Sequence, residues 1–479
     1  MNSSQTRIPD HVGGGMSDAL LARLSSHVAS HMGLHFPLTK WPALEKAFNS
    51  AAGELGFDNP EECANWFITT PITQELVESM AGYLTIGETY FLRENRSFEI
   101  FTAEIIPEII RKRCGDKQRL RIWSAGCATG EEPYSMAILL DKMNNALKEW
   151  NIFILATDIN PKALRKATDG IYTEWSFRNT PSWLKENYFR KSADGRLQLI
   201  SQIKKMVDFS YLNLVEDFYP SLPSGTNAMD VIFCRNVLMY FTPEFARKVV
   251  ECFYRSLVDE GWLIVSPCEA SQVLFSQFKA VSFQDAVLYR KEGNGERGKG
   301  TKAESGNRRI GERGKSRIGE TVKLRNGETE QKEAVSPIPP FSDSPLQSVP
   351  LCRTLANQGK LAEALMLLEQ VIAADKLNPG LHYLQAMILQ EQGADSEAKA
   401  ALKRVLYLDQ KFVLAHVALA TLALRQGIRK DFQRYLENAF SLLGGYQADE
   451  ILPESEGMTA GRLMKIIGAM DVMGDRDES

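Results

Sequence analysis

The segment RLRIWSAGCATGEEPYSMAILL, residues 119–140, concentrates residue types that could do chemistry. An apolar run ends in a small-residue turn, Ala125-Gly126-Cys127-Ala128-Thr129-Gly130, and a helix is expected to open at Glu131-Glu132-Pro133. Glycines let a backbone approach a ligand where a side chain would collide. A phosphate-binding turn leaves the next helix N-terminus open to an anion. Here two glutamates hold that position, which repels pyrophosphate and suits a cationic or neutral ligand. The sulfonium and amino group of S-adenosylmethionine meet that description, and the Gly-x-Gly-x-x-Gly of dinucleotide enzymes is absent. A second run, IFILATDIN (152–160), ends in Asp158. An acid at that place on a sheet's carboxyl edge can meet a nucleoside's ribose hydroxyls; Asp158 can also cap a helix starting at Pro161. A third run, MDVIFCRNVLMYF (229–241), is broken by Arg235-Asn236, either a buried pair that satisfies the fold or a site at the sheet's edge.

These side chains need a frame. Apolar runs at Leu120–Ser124, Ile152–Thr157, Met229–Cys234, Trp262–Ser266 and Ala286–Arg290 alternate with helical stretches. That alternation predicts crossover connections and a parallel sheet covered on both faces, a doubly wound α/β domain over residues 96–291. Residues 16–95 read as a small helical domain. Leu20, Leu24, Val28 and Met32 make one stripe between a Ser17 cap and a Gly33 stop. Asn59-Pro60 and Thr70-Pro71 each place a capping side chain before a proline at the first helical position. Residues 1–15 read as a disordered leader, with Met16 as an alternative start.

Residues 292–349 are rich in lysine, arginine, glutamate and glycine and then in proline, with no aromatic side chain between Tyr289 and Phe341. Such a segment cannot bury enough surface to offset its chain entropy, so a flexible linker is expected. A basic nucleic-acid arm would need the stacking aromatics it lacks. From Leu351 the chain repeats itself: Gly359, Gly393 and Gly427 recur every 34 residues, as do Leu368, Leu402 and Leu436. Val371 and Val405, Asp375 and Asp409, and Ala386 and Ala420 keep the same period, that of helix–turn–helix tetratricopeptide repeats. Three helix pairs fit residues 350–445. Thr459–Met470 reads as a capping helix within residues 446–479, ahead of an acidic tail.

Composition removes several classes. At 44% hydrophobic and 24% charged residues, with a net charge of −4, the chain is that of a globular protein without general attraction to nucleic acid or anionic lipid. No apolar run is long enough to insert into a bilayer. Seven scattered cysteines without a Cys-x-x-Cys pair fit a reduced, cytoplasmic protein. No histidine lies between Phe36 and Leu381. A centre confined to that span therefore uses neither a histidine base nor a histidine-bound metal, and the spaced His27, His31 and His35 read as polar surface.

TIGETYFLRE (85–94), SAGCATGEEPYS (124–135), ATDINPKALRKATDGIY (156–172), VDFSYLNLVE (207–216) and FCRNVLMYF (233–241) resemble, in order, the motifs of the CheR family of chemoreceptor glutamate methyltransferases. The resemblance covers residues 16–291; the added repeats are similar to those of CheR-type enzymes in biofilm signalling. It implies a class I S-adenosylmethionine-dependent methyltransferase acting on glutamates of a methyl-accepting, chemoreceptor-like protein. It implies cofactor contacts at Gly87, Thr89, Arg93, Glu131 or Glu132 (with Glu132 favoured), Asp158, Asn213, Leu214, Arg235 and Asn236. Arg93 would orient the incoming carboxylate and Tyr240 would lie near the transferred methyl. The alternatives are Arg93 paired with Glu94 or another acid, and Tyr240 as core.

Three departures stand out. Family members often have asparagine where this chain has Gly87. The segment Trp41–Gly53, equivalent to an arginine-rich receptor-gripping helix, offers only Lys46 beside Glu45. Residues 188–209 should form a small β-subdomain, yet its turn, Lys191–Gly195, is short for docking on a receptor's C-terminal pentapeptide. Docking is therefore expected to use the receptor body or the repeats, which would hold a further protein partner.

Because every motif lies in residues 16–291, that part is expected to bind the cofactor without Leu351–Ser479. Two competing readings remain open: a small-molecule or RNA methyltransferase of the same fold, and a repeat scaffold with a weakly active front domain. The ordered motifs oppose the first; the intact Glu131, Asp158, Arg235 and Asn236 oppose the second.

Overall fold

Runs of apolar and β-branched residues become the strands of one central sheet. The computed structural model describes residues 15–113, 118–192, 194–216, 218–293 and 348–475. Residues 1–14 of the expected leader, 294–347 of the expected linker and the last four residues lie outside the described residues. The strands are β1 (Arg119–Ala125), β2 (Asn151–Asp158), β3 (Ile171–Tyr172), β4 (Phe189–Lys191), β5 (Leu197–Leu199), β6 (Val207–Tyr211), β7 (Met229–Cys234), β8 (Leu257–Val265), β9 (Lys279–Phe283) and β10 (Ala286–Arg290). The main sheet runs β6-β2-β1-β7-β8-β10-β9. Its first five strands are parallel, and β10 is antiparallel to both of its neighbours. The chain winds outward from β1 through β2 to β6 and then returns to β7 on the other side of β1. That reversal opens a crevice at the carboxyl ends of β1 and β7, where α/β sheets bind ligands.

All six residues of β7 are buried, as a strand covered on both faces requires. Two expectations need correction. Residues 207–209 do not belong to the small subdomain: β6 pairs with β2 as an edge of the main sheet, and the separate three-stranded sheet is β3-β5-β4. The strand expected at Trp262–Ser266 starts earlier, at Leu257, and ends at Val265.

The N-terminal helices are Asp18–Met32, Trp41–Leu55, Pro60–Thr69 and Gln74–Leu84. The first has its Ser17 cap, its left-handed Gly33 stop and a buried stripe of Leu20, Leu24, Val28 and Met32. Asn59 caps the third, as expected. Thr70 does not open the fourth: it ends the third in extended backbone, the conformation favoured before Pro71, and Thr73 caps the next helix through Leu76 N.

The repeat region folds as Val349–Asn357 with Leu361–Ala374, Pro379–Glu391 with Asp395–Leu408, and Val413–Arg425 with Arg429–Leu443. Gly359, Gly393 and Gly427 all sit in the left-handed region after a first helix, the demand that preserves their period. Leu368, Leu402, Leu436, Ala386 and Ala420 are buried between the helices. A last helix, Ala460–Asp475, follows. The repeats pack directly on the sheet domain. Glu391 pairs with Arg121 at 2.8 Å, Ala228 N donates to Asn357 O, and Leu222 joins the repeats' core. Among the described residues no helix is long and apolar enough to cross a membrane.

Candidate active site

A cavity of about 430 Å³ opens at the carboxyl ends of β1, β2 and β7. That volume lies within the range of small-molecule sites. The loop after β1 supplies its floor. Gly126 and Gly130 are left-handed, and a Cβ on Gly126 would lie 2.4 Å from Val237 Cγ2. The small-residue turn therefore lets two loops close together under the cavity.

The paired glutamates separate. Glu132 lines the cavity, accepting from Ser124 Oγ at 2.8 Å and Arg235 Nη1 at 3.2 Å. Glu131 does not line it; it accepts from Ser176 Oγ and Thr129 Oγ1 and is 1% exposed. Burial pushes the Glu132 carboxyl above its ordinary value, opposed by Arg235.

Asp158, at the end of β2, also faces the cavity. Its Oδ2 accepts from Ala128 N and its Oδ1 from Asn160 N, each at 2.8 Å. A carboxylate oxygen has a second lone pair, so Asp158 keeps acceptor capacity. Its carboxyl is raised by burial and lowered by these backbone donors. The helix Pro161–Asp169 is capped by Asn160, whose side chain accepts from Lys162 N and Ala163 N, so the capping role weighed for Asp158 is not its own.

Arg235, 6% exposed, donates to Glu94 Oε2 at 3.0 Å and to the Arg93 carbonyl as well as to Glu132, leaving its Nε unpartnered. Asn236 takes a left-handed φ of 58° and donates through Nδ2 to Ser266 Oγ at 3.0 Å. Glu269, unnoticed in the sequence, accepts from the backbone N–H groups of Asn236, Val237 and Met239 and so sets the loop carrying Arg235 and Tyr240. Ser266-Pro-Cys-Glu269 is a capping box, and that signal was readable.

Gly87, Thr89, Arg93, Asn213, Leu214 and Tyr240 complete the predicted set on the wall. Arg93 is not paired with Glu94. It donates through Nη1 to Glu88 O at 2.7 Å and has no carboxylate partner among the described residues. Asn213 ties the first helix down through Nδ2 to His31 O at 3.1 Å. Tyr240 is half-buried, with Lys40 Nζ 5.3 Å from its ring centre.

The cavity is not confined to the histidine-free span between Phe36 and Leu381: Met32 and Leu34 also line it. Leu34 bridges Phe241, His35 N donates to Tyr240 O at 2.6 Å, and His35, Phe36 and Lys40 all line the space. His35 is exposed, as its reading as polar surface expects, and the fold of the segment after the first helix also places it among the lining residues.

The chain matches the family described as "CheR methyltransferase, SAM binding domain" over residues 87–287. It is 31% identical over 271 residues to a chemotaxis protein methyltransferase of Borreliella burgdorferi, covering 56% of this chain and 93% of that protein. It is 36% identical over 222 residues to chemotaxis protein methyltransferase 2 of Vibrio cholerae, covering 46% and 75%. The "Probable biofilm formation methyltransferase WspC" of Pseudomonas aeruginosa is 28% identical over 372 residues, 76% of this chain and 85% of that one, so that similarity reaches beyond the sheet domain. The chain belongs to the CheR methyltransferase family and is an S-adenosylmethionine-dependent methyltransferase.

Proposed function

We propose that this enzyme methylates glutamate side chains of a methyl-accepting, chemoreceptor-like protein in the cytoplasm, as the adaptation step of a chemosensory or biofilm-signalling pathway. The observation that carries the proposal is the pairing of two partly buried acids, Glu132 and Asp158, with an arginine fork free of carboxylates, Arg93, around one cavity. The acids suit a cationic nucleoside, and the fork suits an anionic acceptor. S-adenosylmethionine supplies a methyl group on a sulfonium, already electrophilic. Asp158 would hold ribose hydroxyls, while Glu132, Gly87, Thr89, Asn213, Leu214, Arg235 and Asn236 shape the rest of its site. Arg93 would orient the acceptor carboxylate and Tyr240 would wall the methyl side. A glutamate is already ionised at neutral pH, so no residue need take its proton. Alignment of the two reactants can supply roughly 7–11 kcal/mol.

The short hairpin between β4 and β5, of which Ala193 lies outside the described residues, supports docking through the receptor body or the repeats. The repeats' protein partner is a separate element of the proposal. The test is methyl transfer from radiolabelled S-adenosylmethionine into membranes carrying candidate receptors. Incorporated label released as methanol by mild alkali supports glutamate esters; alkali-stable label would refute them.

A further inference from the structure

We infer that Arg462, from the helix after the repeats, is a positioning residue of the cofactor cavity; this rests on the reading that the cavity takes S-adenosylmethionine. Arg462 is 7% exposed and its Nη2 donates to Tyr211 O at 2.8 Å. Tyr211 is the last residue of β6 and stands in register with Asp158 on β2. The next residue, Leu212, donates its N–H to Asp158 O at 3.1 Å, and Leu212, Asn213 and Leu214 form one wall of the cavity. A single carbonyl therefore separates Arg462 from the segment that shapes the site. The guanidinium lies 5.8 Å from the Tyr211 ring and 5.5 Å from the Phe218 ring and faces Glu216 and Glu78, which balance its charge. A buried cation held this way is costly to move.

The repeats fix where that helix begins. After Leu443 the chain returns across the first helices of the repeats, where Arg353 pairs with Glu454 and Glu456, and Leu452 and Met458 pack with Tyr383 and Phe412. Ala460 N and Gly461 N then donate to Glu450 O and Ala448 O at 2.9 Å, closing the entry to the helix. β6 is the edge of the sheet and has a strand on one side only, so its end needs this outside support. On this inference residues 16–291 alone would bind the cofactor more weakly than the full chain, because the last helix supports the Leu212–Leu214 wall through Tyr211 O without lining the cavity itself.

The full chain is titrated with S-adenosylmethionine by calorimetry, with thermal unfolding followed alongside. Arg462→Met keeps the aliphatic packing and removes the donors; it should weaken binding about tenfold, or ~1.4 kcal/mol. Arg462→Lys, which keeps one charged donor for Tyr211 O, should recover part of that loss. Lys465→Ala, which cuts an exposed pair with Glu78 on the same helix, should bind within about twofold of wild type. A folded Arg462→Met protein with wild-type affinity overturns the inference, as does an equal loss in Lys465→Ala. Amide hydrogen exchange of the wild type decides the matter even if Arg462→Met does not fold. By linkage, the cofactor should slow exchange in residues 460–468 together with residues 207–214. Protection of 207–214 alone overturns the inference, and a wild type that binds no cofactor refutes the reading of the cavity instead.

Discussion

At the amino end of the sheet, Arg121 of β1 spends its donors on Glu391, Asn227 O and Gly225 O, and its guanidinium lies 4.5 Å from the Phe153 ring centre. At the carboxyl end, Arg235 is buried to the same degree, but its Nε is unpartnered, and beside it Arg93 lacks a carboxylate and Asp158 keeps acceptor capacity. Both clusters are built from arginine and carboxylates. The first spends its arginine on the repeats and locks them to the sheet; the second lines a cavity. Asn227 Nδ2 beside Arg121 is unpartnered too, so what separates the working end from the structural one is that its spare capacity lines a cavity.

The largest effect should come from the Arg121 cluster. Arg121→Met removes the closer of Glu391's two arginine partners, leaving Arg119 at 3.5 Å, and should cost about 3 kcal/mol of stability, read from urea unfolding. Asp158→Ala should instead weaken cofactor binding by about 1–3 kcal/mol in calorimetry, with a smaller loss of stability than Arg121→Met, since Ala128 N and Asn160 N lose an acceptor that burial already disfavours as an anion. A stability loss in Asp158→Ala equal to that in Arg121→Met would erase the contrast. Arg93→Lys keeps the charge and loses the planar fork. It should slow single-turnover transfer roughly tenfold at saturating cofactor, about 1.4 kcal/mol; normal chemistry would make Arg93 structural.

The pH dependence follows from the same acids. Burial raises the Asp158 and Glu132 carboxyls, so the cofactor-free fold holds their protons more tightly than the unfolded chain does. These groups therefore favour folding below their ordinary values, and that contribution is lost as pH rises through their raised ones. Hydroxyl and cationic ligands want the anions. The gain in melting temperature from saturating cofactor should thus shrink as pH falls from about 7 toward 4.5, beginning above the ordinary carboxylate range near 4. A constant gain would show that these acids do not meet the ligand. The smallest effect is at Gly87, where no atom lies within 4 Å of an added Cβ. Gly87→Asn should fit and tighten binding by less than about 1 kcal/mol, checked by titration.

What was legible in the sequence was local. β1, β2 and β7 follow from short apolar runs, and the repeats from glycines that must be left-handed at a fixed period. Asp158 and Arg235 were readable because they sit where strands end, and Glu132 because it opens the helix after the turn from β1. What was missed depends on partners distant in the chain. β6 is short and half-exposed, so its place beside β2 leaves no strong pattern. His35 reaches the cavity only through the contact between Leu34 and Phe241. The docking of Glu391 on Arg121 and of Arg462 on Tyr211 joins residues 270 and 251 positions apart. No periodicity encodes such pairs.

The central claim is that this cavity transfers a methyl group by holding two reactants, without a base. Single-turnover transfer to receptor membranes at saturating cofactor, measured from about pH 6 to 8.5, tests it most directly. A carboxylate acceptor predicts a rate with no step near 6.5, where an imidazole titrates. His35, now placed on the wall, makes the test sharp: its replacement by glutamine should leave the profile unchanged. A wild-type step near 6.5 that disappears in His35→Gln would contradict the account and give the site a histidine base.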